Sequence, residues 1–189
     1  MSSSNAVLLS GHGLILREWG DDDLEAMAEL FDDPDIAYWT PLVTPFDVPA
    51  ARNYLDRARQ GRALGERVHL AITTDGRRPK GEVMLNKVSG TIGYGVGAAH
   101  RGQRLASRAV LLMTDYAHHV AGLSKVGLEI EPGNAASTAV ARTAGYHLTD
   151  AAPVIVEEKG RRVSLLTWTH EIARDARGRA REHGVAGGG

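Results

Sequence analysis

The segment that follows Thr91 has the residue types and spacing of an anion-binding site. Apolar residues alternate with glycines up to Val96, as in a short strand, and an amphipathic helical pattern begins at Leu105. The helix therefore starts near Arg101 to Arg104, where the first main-chain N–H groups have no partner within the helix. These donors and the positive end of the helix dipole favour a phosphate group. We therefore predict a site for a pyrophosphate-bearing ligand at this helix start.

Side chains in the same turn support this prediction. Arg101 and Arg104 add positive charge, and Gly102 allows a ligand to approach the main chain closely. The alternative is a tight turn without a ligand, because many glycine-rich turns between a strand and a helix bind nothing. A dinucleotide-binding motif needs an acidic residue about 20 positions after its glycines, at the end of the next strand. The acid at about that distance here, Asp115, lies inside the helix, so this motif is disfavoured. The sequence also lacks a nucleoside-triphosphate loop motif.

The composition of the chain narrows the class of protein. With 189 residues, 43% apolar and 24% charged, the sequence is that of one globular domain. The formal charge of −1 gives no support for a nucleic-acid partner or an anionic membrane surface. The absence of cysteine excludes disulfides and a thiolate nucleophile, and we expect no metal site. Without a leader segment or an apolar run of about 20 residues, a cytoplasmic protein with no membrane partner is expected.

Hydrophobic periodicity predicts a single domain over residues 13–170, after a flexible N-terminus over residues 1–12. A strand over residues 13–19 is followed by two helices, with an aromatic-bearing loop over residues 36–46 between them. Three antiparallel strands, a crossover helix, a fifth strand, a short helix and a closing hairpin complete the domain. Residues 171–189 are predicted to be a fraying helix and a disordered tail.

The order of these elements also predicts the fold class. Because a helix crosses over between strands four and five, these two strands can lie parallel in a sheet that is otherwise antiparallel. The chain is therefore predicted to be an α+β protein in a three-layer α/β arrangement. Its mixed, mostly antiparallel sheet would have seven strands, packed with about four helices.

With these residues in place, the chain resembles the GNAT superfamily of acetyl-CoA-dependent N-acetyltransferases. It is most similar to the bacterial, RimJ/RimL-like branch that acetylates ribosomal-protein N-termini. The likeness covers nearly all of residues 14–169 and implies that strands four and five splay apart. It rests on the combination of Leu14-Ile-Leu-Arg-Glu-Trp19, Ile92-Gly-Tyr94, Arg101-Gly-Gln-Arg-Leu-Ala106, Glu131-Pro-Gly-Asn-Ala-Ala-Ser137 and Ala144-Gly-Tyr146.

The resemblance implies acetyl-CoA as co-substrate. The family's central turn has the form Q/R-x-x-G-x-G/A, and Arg101 and Ala106 occupy its ends, whereas Arg104 stands where glycine is usual. By the same resemblance, the pantetheine arm pairs with exposed main chain near Tyr94 to Gly97. The cofactor-binding residues expected on these grounds are Tyr94, Gly95, Val96, Arg101, Gly102, Gln103, Arg104, Leu105, Ala106, Asn134 and Ser137.

The family's Asn-x-x-Ser pair corresponds to Asn134 and Ser137. The resemblance implies that Asn134 bonds the pantetheine or a water molecule, and that Ser137 lies near the thioester sulfur as a catalytic proton donor. Asn134 is also well suited to cap the following helix.

The general base is the second catalytic role to assign. Relatives often carry a glutamate just before the Ile-Gly-Tyr strand, where this chain has Thr91. Glu82 on the neighbouring strand is the candidate, and Glu129 and Glu131 are alternatives that could act directly or through water. The non-catalytic alternative for each, which the pattern favours, is a solvent-facing charge on a strand. No base is needed if the acceptor amine arrives neutral.

These expectations describe an N-acetyltransferase that moves an acetyl group to a primary amine by direct attack in a ternary complex. The amine would be a protein N-terminus or a small molecule, bound against Tyr38 and Trp39, and the protein would be a monomer or a homodimer. The two aromatic residues could instead fill the core. A second hypothesis, motivated by Thr91 and Arg104, is a catalytically silent module that binds acyl-CoA.

Overall fold

The computed structural model describes residues 6–172, which form one nine-stranded sheet with helices on both faces. The strands lie in the order β1-β2-β3-β4-β5-β6-β9-β7, and β8 pairs with β9. The strands are β1 (Leu8–Gly11), β2 (Leu14–Glu18), β3 (Arg67–Thr73), β4 (Gly81–Asn86), β5 (Thr91–Val96), β6 (Lys125–Ile130), β7 (His147–Leu148), β8 (Val154–Glu158) and β9 (Arg161–Glu171). The helices are α1 (Leu24–Phe31), α2 (Pro34–Trp39), α3 (Val48–Ala63), α4 (Leu105–His119) and α5 (Ala135–Thr143).

The sheet is antiparallel except where β5 meets β6. These two strands run parallel and pair through Thr91 and Gly127, at the start of each strand. The remainder of β5 pairs with β4, whereas the remainder of β6 pairs with β9. The two strands therefore diverge beyond their first residues, and a gap opens toward Val96. The predicted fold class, including the parallel and splayed pair, is confirmed.

Successive side chains along each strand point to opposite faces of the sheet, and this produces two separate hydrophobic clusters. In β3, Leu70 and Ile72 join the cluster that contains the buried side of α4, whereas Ala71 joins the cluster of α1 and α3 on the opposite face. The buried residues of α4 recur at steps of three and four, as expected for a helix that packs on a sheet. The central sheet thus separates two helical layers, and the gap between β5 and β6 lies within it.

The strand count differs from the predicted seven at both ends of the chain. Leu8–Gly11 forms β1, although residues 1–12 were expected to be flexible, and this strand pairs with all but the last residue of β2. His12 and Gly13 both have positive φ, 50° and 70°, which suits the two-residue turn of a hairpin. At the other end, the two-residue β7 pairs with β9.

Two predicted boundaries also change. The predicted loop over residues 36–46 begins inside α2, because the Asp33 side chain caps this helix and Pro34 fits its first position. Glu171 ends β9 instead of starting a helix, and the rest of the predicted C-terminal helix, from residue 173 onward, lies outside the described residues. Between residues 6 and 172, no helix is both long and apolar enough to cross a membrane.

Candidate active site

A cavity of about 470 Å³ lies where the end of β5, the start of α4, the start of α5 and helix α2 meet. Every residue expected to bind the cofactor lines this cavity except Gln103. Its lining residues are Asp35, Ile36, Trp39, Thr40, Tyr94, Gly95, Val96, His100, Arg101, Gly102, Arg104, Leu105, Ala106, Ser107, Asn134, Ala136, Ser137 and Val140. The structure therefore brings together residues that are 40 or more positions apart in the sequence.

The turn before α4 has an unusual main-chain conformation. Gly102 has a φ of 77°, and Arg104, the residue before the helix, has a φ of 56° in the left-handed region. Glycine adopts this region without penalty, whereas an L-residue with a side chain is strained there by about 1 kcal/mol. The main-chain geometry at position 104 is thus one that suits glycine, and Arg104 adopts it.

The start of α4 presents main-chain donors to the cavity. The N–H of Arg108 donates to the Arg104 carbonyl at 3.2 Å and closes the first turn of the helix. The N–H groups of Leu105, Ala106 and Ser107 therefore precede the helical hydrogen-bond pattern. All three residues line the cavity, as does Arg104. This end of the cavity is chemically suited to an anionic group.

Arg101 is directed toward α2. Its Nη2 lies 2.6 Å from Asp33 Oδ1, its Nη1 lies 2.7 Å from Asp35 Oδ2, and its Nε donates to the Val96 carbonyl at 3.3 Å. The guanidinium charge is therefore matched by two carboxylates. Gln103 contributes its main-chain carbonyl, which accepts from Arg108 Nη2 at 3.0 Å.

The start of α5 is fixed by two hydrogen bonds that meet at Ser137. The Asn134 side chain caps the helix, since its Oδ1 accepts from the Ser137 N–H at 3.0 Å. The Tyr94 hydroxyl donates to the Ser137 carbonyl at 3.4 Å. Burial raises the pKa of Tyr94 to about 12, so this hydroxyl stays neutral near pH 7. Asn134 is thus a helix cap, and its amide nitrogen is still available as a donor to a ligand.

The structure does not bring Glu82 into the cavity. Its side chain lies on the α1 and α3 face and is only 7% exposed. One carboxylate oxygen accepts from Trp19 Nε1 at 2.8 Å, and the other contacts the Tyr54 hydroxyl and His69 Nδ1, the latter at 3.3 Å. Burial, followed by the charge of Glu82, raises the pKa of Tyr54 well above its usual value, so Tyr54 donates to the carboxylate. Alternation along β4 indicates this face, since Val83 points to the opposite side.

The two aromatic residues of α2 have different surroundings. Trp39 is 37% exposed and lines the cavity, with its ring close to Gly133, where an added Cβ would lie 3.7 Å from Trp39 Cη2. Tyr38 is 52% exposed and lines a neighbouring cavity of about 380 Å³, where the guanidinium of Arg161 lies 4.0 Å from its ring centroid. Neither ring fills the core. Phe46 from the same predicted loop does, at 1% exposure.

Several lining residues were not anticipated from the sequence. Asp35, Ile36 and Thr40 reach the cavity because α2 replaces the first part of a predicted loop. The Asp-Pro-Asp segment before Ile36 is the signal that indicates this helix start. His100 also lines the cavity, and burial together with the charges of Lys80 and Arg78 lowers its pKa.

Comparison with known proteins identifies the family of the chain. Residues 13–147 match the family model described as an acetyltransferase (GNAT) domain. No curated protein matches the chain. Since the family match covers more than half of the sequence, the chain belongs to the GNAT acetyltransferase family, as the resemblance predicted, and it is an acetyltransferase.

Solved structures share the fold at low sequence identity. Mycobacterium smegmatis RimJ in complex with CoA-disulfide aligns with a TM-score of 0.74 at 18% identity, covering 88% of this chain and 87% of that one. The Salmonella typhimurium acetyltransferase that modifies the N-terminal serine of ribosomal protein L7/L12 aligns with a TM-score of 0.75 at 16% identity, covering 88% and 100%. The ribosomal-protein-S5-alanine acetyltransferase of Vibrio fischeri aligns with a TM-score of 0.72 at 15% identity, covering 87% and 96%.

Proposed function

We propose that the protein transfers an acetyl group from acetyl-CoA to a primary amine by direct attack in a ternary complex. The observation that carries this proposal is the single cavity that joins the start of α4, the diverging end of β5 and the start of α5. The cavity is lined both by the residues with main-chain donors at the start of α4 and by Ser137 at the start of α5. RimJ, which shares the fold, was solved with a CoA-disulfide, in keeping with this ligand class.

In this proposal, the start of α4 binds the diphosphate. The N–H groups of Leu105, Ala106 and Ser107 provide hydrogen bonds along the positive end of the helix dipole. The exposed guanidinium of Arg104 adds a cation that is not engaged by any carboxylate of residues 6–172. Since α4 is 15 residues long and packed along the core, these donors are held rigidly.

Bound acetyl-CoA supplies a thioester, whose acetyl group passes to the amine nitrogen while the sulfur leaves as a thiol. The free edge at the end of β5 orients the arm of the co-substrate through main-chain hydrogen bonds near Gly95 and Val96. Ser137 donates a proton at the sulfur and regains one from the nitrogen that loses it, so protons balance over the reaction. The Tyr94 and Asn134 hydrogen bonds keep Ser137 in position for this transfer.

The proposal uses no carboxylate as a direct base. Glu82 keeps its contacts with Trp19, Tyr54 and His69 on the other side of the sheet, and Glu131 is bound by Arg161 at 2.9 Å. The amine therefore reacts from its neutral fraction, which increases with pH. The rate at a fixed low amine concentration should rise until the amine is fully deprotonated.

A protein N-terminus is the acceptor we favour. The proteins from Salmonella typhimurium and Vibrio fischeri act on ribosomal proteins, and both share the fold over nearly their whole length. The α-amino group of a peptide has a pKa of about 8, so it is neutral in a larger fraction than a lysine side chain. This suits a site without a direct base.

The proposed function is tested by incubation with acetyl-CoA and a panel of N-terminal peptides and small amines, with release of free thiol as the readout. We expect release above background hydrolysis for at least one α-amine, with a matching mass gain of one acetyl group. Binding of coenzyme A without release for any amine would instead support the silent acyl-CoA-binding module. Failure to bind coenzyme A would refute both functions.

A further inference from the structure

Helix α2 lies across one side of the cavity and has little intrinsic stability. It is six residues long, and helices this short do not form in isolation. Its inner side contributes Ile36 and Trp39 to the cavity wall. The position of this wall is therefore determined by the contacts that hold α2 in place.

The beginning of α2 is bound by Arg101 from the turn before α4. Asp33 Oδ1 accepts from the N–H groups of Asp35 and Ile36, both at 3.0 Å, and also contacts Arg101 Nη2. Burial opposes ionisation of Asp33, yet the hydrogen bonds from Arg101 and Ile36 lower its pKa overall. The Asp33 side chain is 14% exposed and that of Arg101 38% exposed, so this ion pair is partly shielded from water.

The end of α2 is bound by two cations, Lys159 from the turn between β8 and β9 and Arg161 from the first position of β9. Lys159 Nζ donates to the Ala37 carbonyl and, at 3.1 Å, to the Thr40 carbonyl. Arg161 donates to the Tyr38 carbonyl at 3.1 Å. These are the orphan carbonyls of a helix C-terminus, which cations stabilise. Helix α2 is thus bound at its start by Arg101 of the cavity wall and at its end by two residues that line the neighbouring cavity.

The three side-chain nitrogen atoms of Arg101 each have a hydrogen-bond partner in this arrangement. Its Nε bonds the Val96 carbonyl, and its two terminal nitrogens bond Asp33 and Asp35. Moving the guanidinium onto a diphosphate would leave two neighbouring carboxylates without their cation, beside an incoming anion. Such a rearrangement is electrostatically unfavourable, whereas Arg104 could meet the diphosphate without losing an ion pair.

We propose that Arg101 is a positioning residue for the acceptor side of the site rather than a ligand of the diphosphate. By holding Asp33 and Asp35, it fixes α2 and therefore Trp39 at the wall against which the amine binds. This inference rests on the proposed acetyltransferase reaction. Arg101, which the sequence predicted to bind the cofactor, is assigned instead to positioning α2. Cofactor affinity and acceptor affinity should consequently depend on two different arginines, Arg104 and Arg101.

Arg101→Gln provides the first test. We expect the KM for the acceptor amine to rise about tenfold, as for loss of a charge-assisted bond, with the Kd for coenzyme A within about twofold of the native value. Hydrogen exchange of the amides of residues 36–40 should become faster. Arg101→Lys should restore part of the acceptor KM, because lysine keeps the charge but not the two-pronged geometry.

Asp35→Asn removes one of the two carboxylate partners of Arg101 and should produce smaller changes in the same direction as Arg101→Gln. The double variant should be no worse than Arg101→Gln alone, because Arg101→Gln already removes the interaction with Asp35. Arg104→Gln is the matched control, with the Kd for coenzyme A raised and exchange at residues 36–40 unchanged. Calorimetry and hydrogen exchange need no acceptor, so they test the inference even if no amine is found.

The inference is overturned if Arg101→Gln weakens coenzyme A binding about tenfold or more while exchange in α2 stays at the native rate. Independent effects of Arg101→Gln and Asp35→Asn in the double variant would also contradict it. These results differ from failure of the proposed function, which would appear as no binding of coenzyme A, or no thiol release, by the native protein.

Discussion

Arg104 combines a cationic side chain with a main-chain conformation that suits glycine. Its φ of 56° places it in the left-handed region, and no side-chain cap compensates at this helix start. The sequence alone showed that arginine replaces the usual glycine. The structure shows that Arg104 adopts the left-handed conformation that glycine would adopt without strain.

We expect Arg104→Gly to separate these two properties. Removing the Cβ should leave the free energy of unfolding unchanged or raise it by up to about 1 kcal/mol, because strain relief is partly offset by the flexibility of glycine. The Kd for coenzyme A should rise, more at low salt than at high salt. Urea denaturation and calorimetry measure the two effects. A large loss of stability would show that the arginine side chain supports the fold.

Ser137 is the residue whose loss should affect chemistry without affecting binding. Ser137→Ala keeps the main-chain bonds to Asn134 and Tyr94, so the start of α5 should be unchanged. We expect kcat to fall about 100-fold and the Kd for coenzyme A to stay the same, as for loss of a general acid. Thr138→Ala, one residue further and outside the cavity lining, is the control. Native kcat in Ser137→Ala would exclude the proton-donor role.

Glu82 should contribute to stability rather than to the reaction. The two carboxylate oxygens of Glu82 contact Trp19, Tyr54 and His69, and the residue is only 5% exposed. In Glu82→Gln, one of these oxygens is replaced by an NH2 group, which cannot accept a hydrogen bond. We expect a loss of about 2 kcal/mol in unfolding free energy. The kcat per folded molecule should be nearly native. A loss of kcat with unchanged stability would restore Glu82 as the base.

At the scale of secondary-structure elements, the end of α4 is joined to β9 by two histidines. His118 Nδ1 must donate to the Leu123 carbonyl, so its Nε2 accepts from His170 Nδ1 at 2.9 Å when both rings are neutral. Burial, and then the charges of His118 and His147, lower the pKa of His170, whereas Asp115 opposes this. The contact is therefore suited to the neutral pair.

This pair should make stability depend on pH. Because the folded pKa of His170 lies below 6.5, the unfolded chain binds the proton more readily, and stability is lost as pH falls below about 6.5. His170→Gln should reduce this dependence. His119→Gln, which changes the exposed neighbouring ring, should leave it unchanged. The midpoint of urea denaturation, measured between pH 5 and pH 8, tests this prediction. If the midpoint of His170→Gln depends on pH as strongly as that of the native protein, the role of His170 is contradicted.

The elements that the sequence predicted correctly are those with strong periodicity. The core face of α4 and the alternation of β3 each follow from one local pattern. Helix α2 was missed because its local signal is only the Asp33 cap and Pro34, and its end is held by Lys159 and Arg161, more than 115 positions away. The surroundings of Glu82 were missed for the same reason, since Trp19 and Tyr54 reach it from other elements.

For the whole molecule, the proposed binding of the co-substrate and the proposed binding of the acceptor depend on helices on opposite faces of the sheet. The cluster beneath α4 supports the turn that we propose binds the diphosphate, whereas α1 and α3 pack on the other face, next to α2. The divergence of β5 and β6 connects the two faces at the place where the sheet is open. Family membership and fold followed from sequence motifs, but the meeting of α2 with α5 in one cavity depends on this three-dimensional arrangement.

A crystal structure of the protein with acetyl-CoA tests the central claim most directly. We predict that the diphosphate lies within hydrogen-bond distance of the N–H groups of Leu105, Ala106 and Ser107 at the start of α4. The thioester should then lie between the ends of β5 and β6, near the Ser137 hydroxyl. A diphosphate bound elsewhere, or a thioester that does not enter the gap between these strands, would contradict the account.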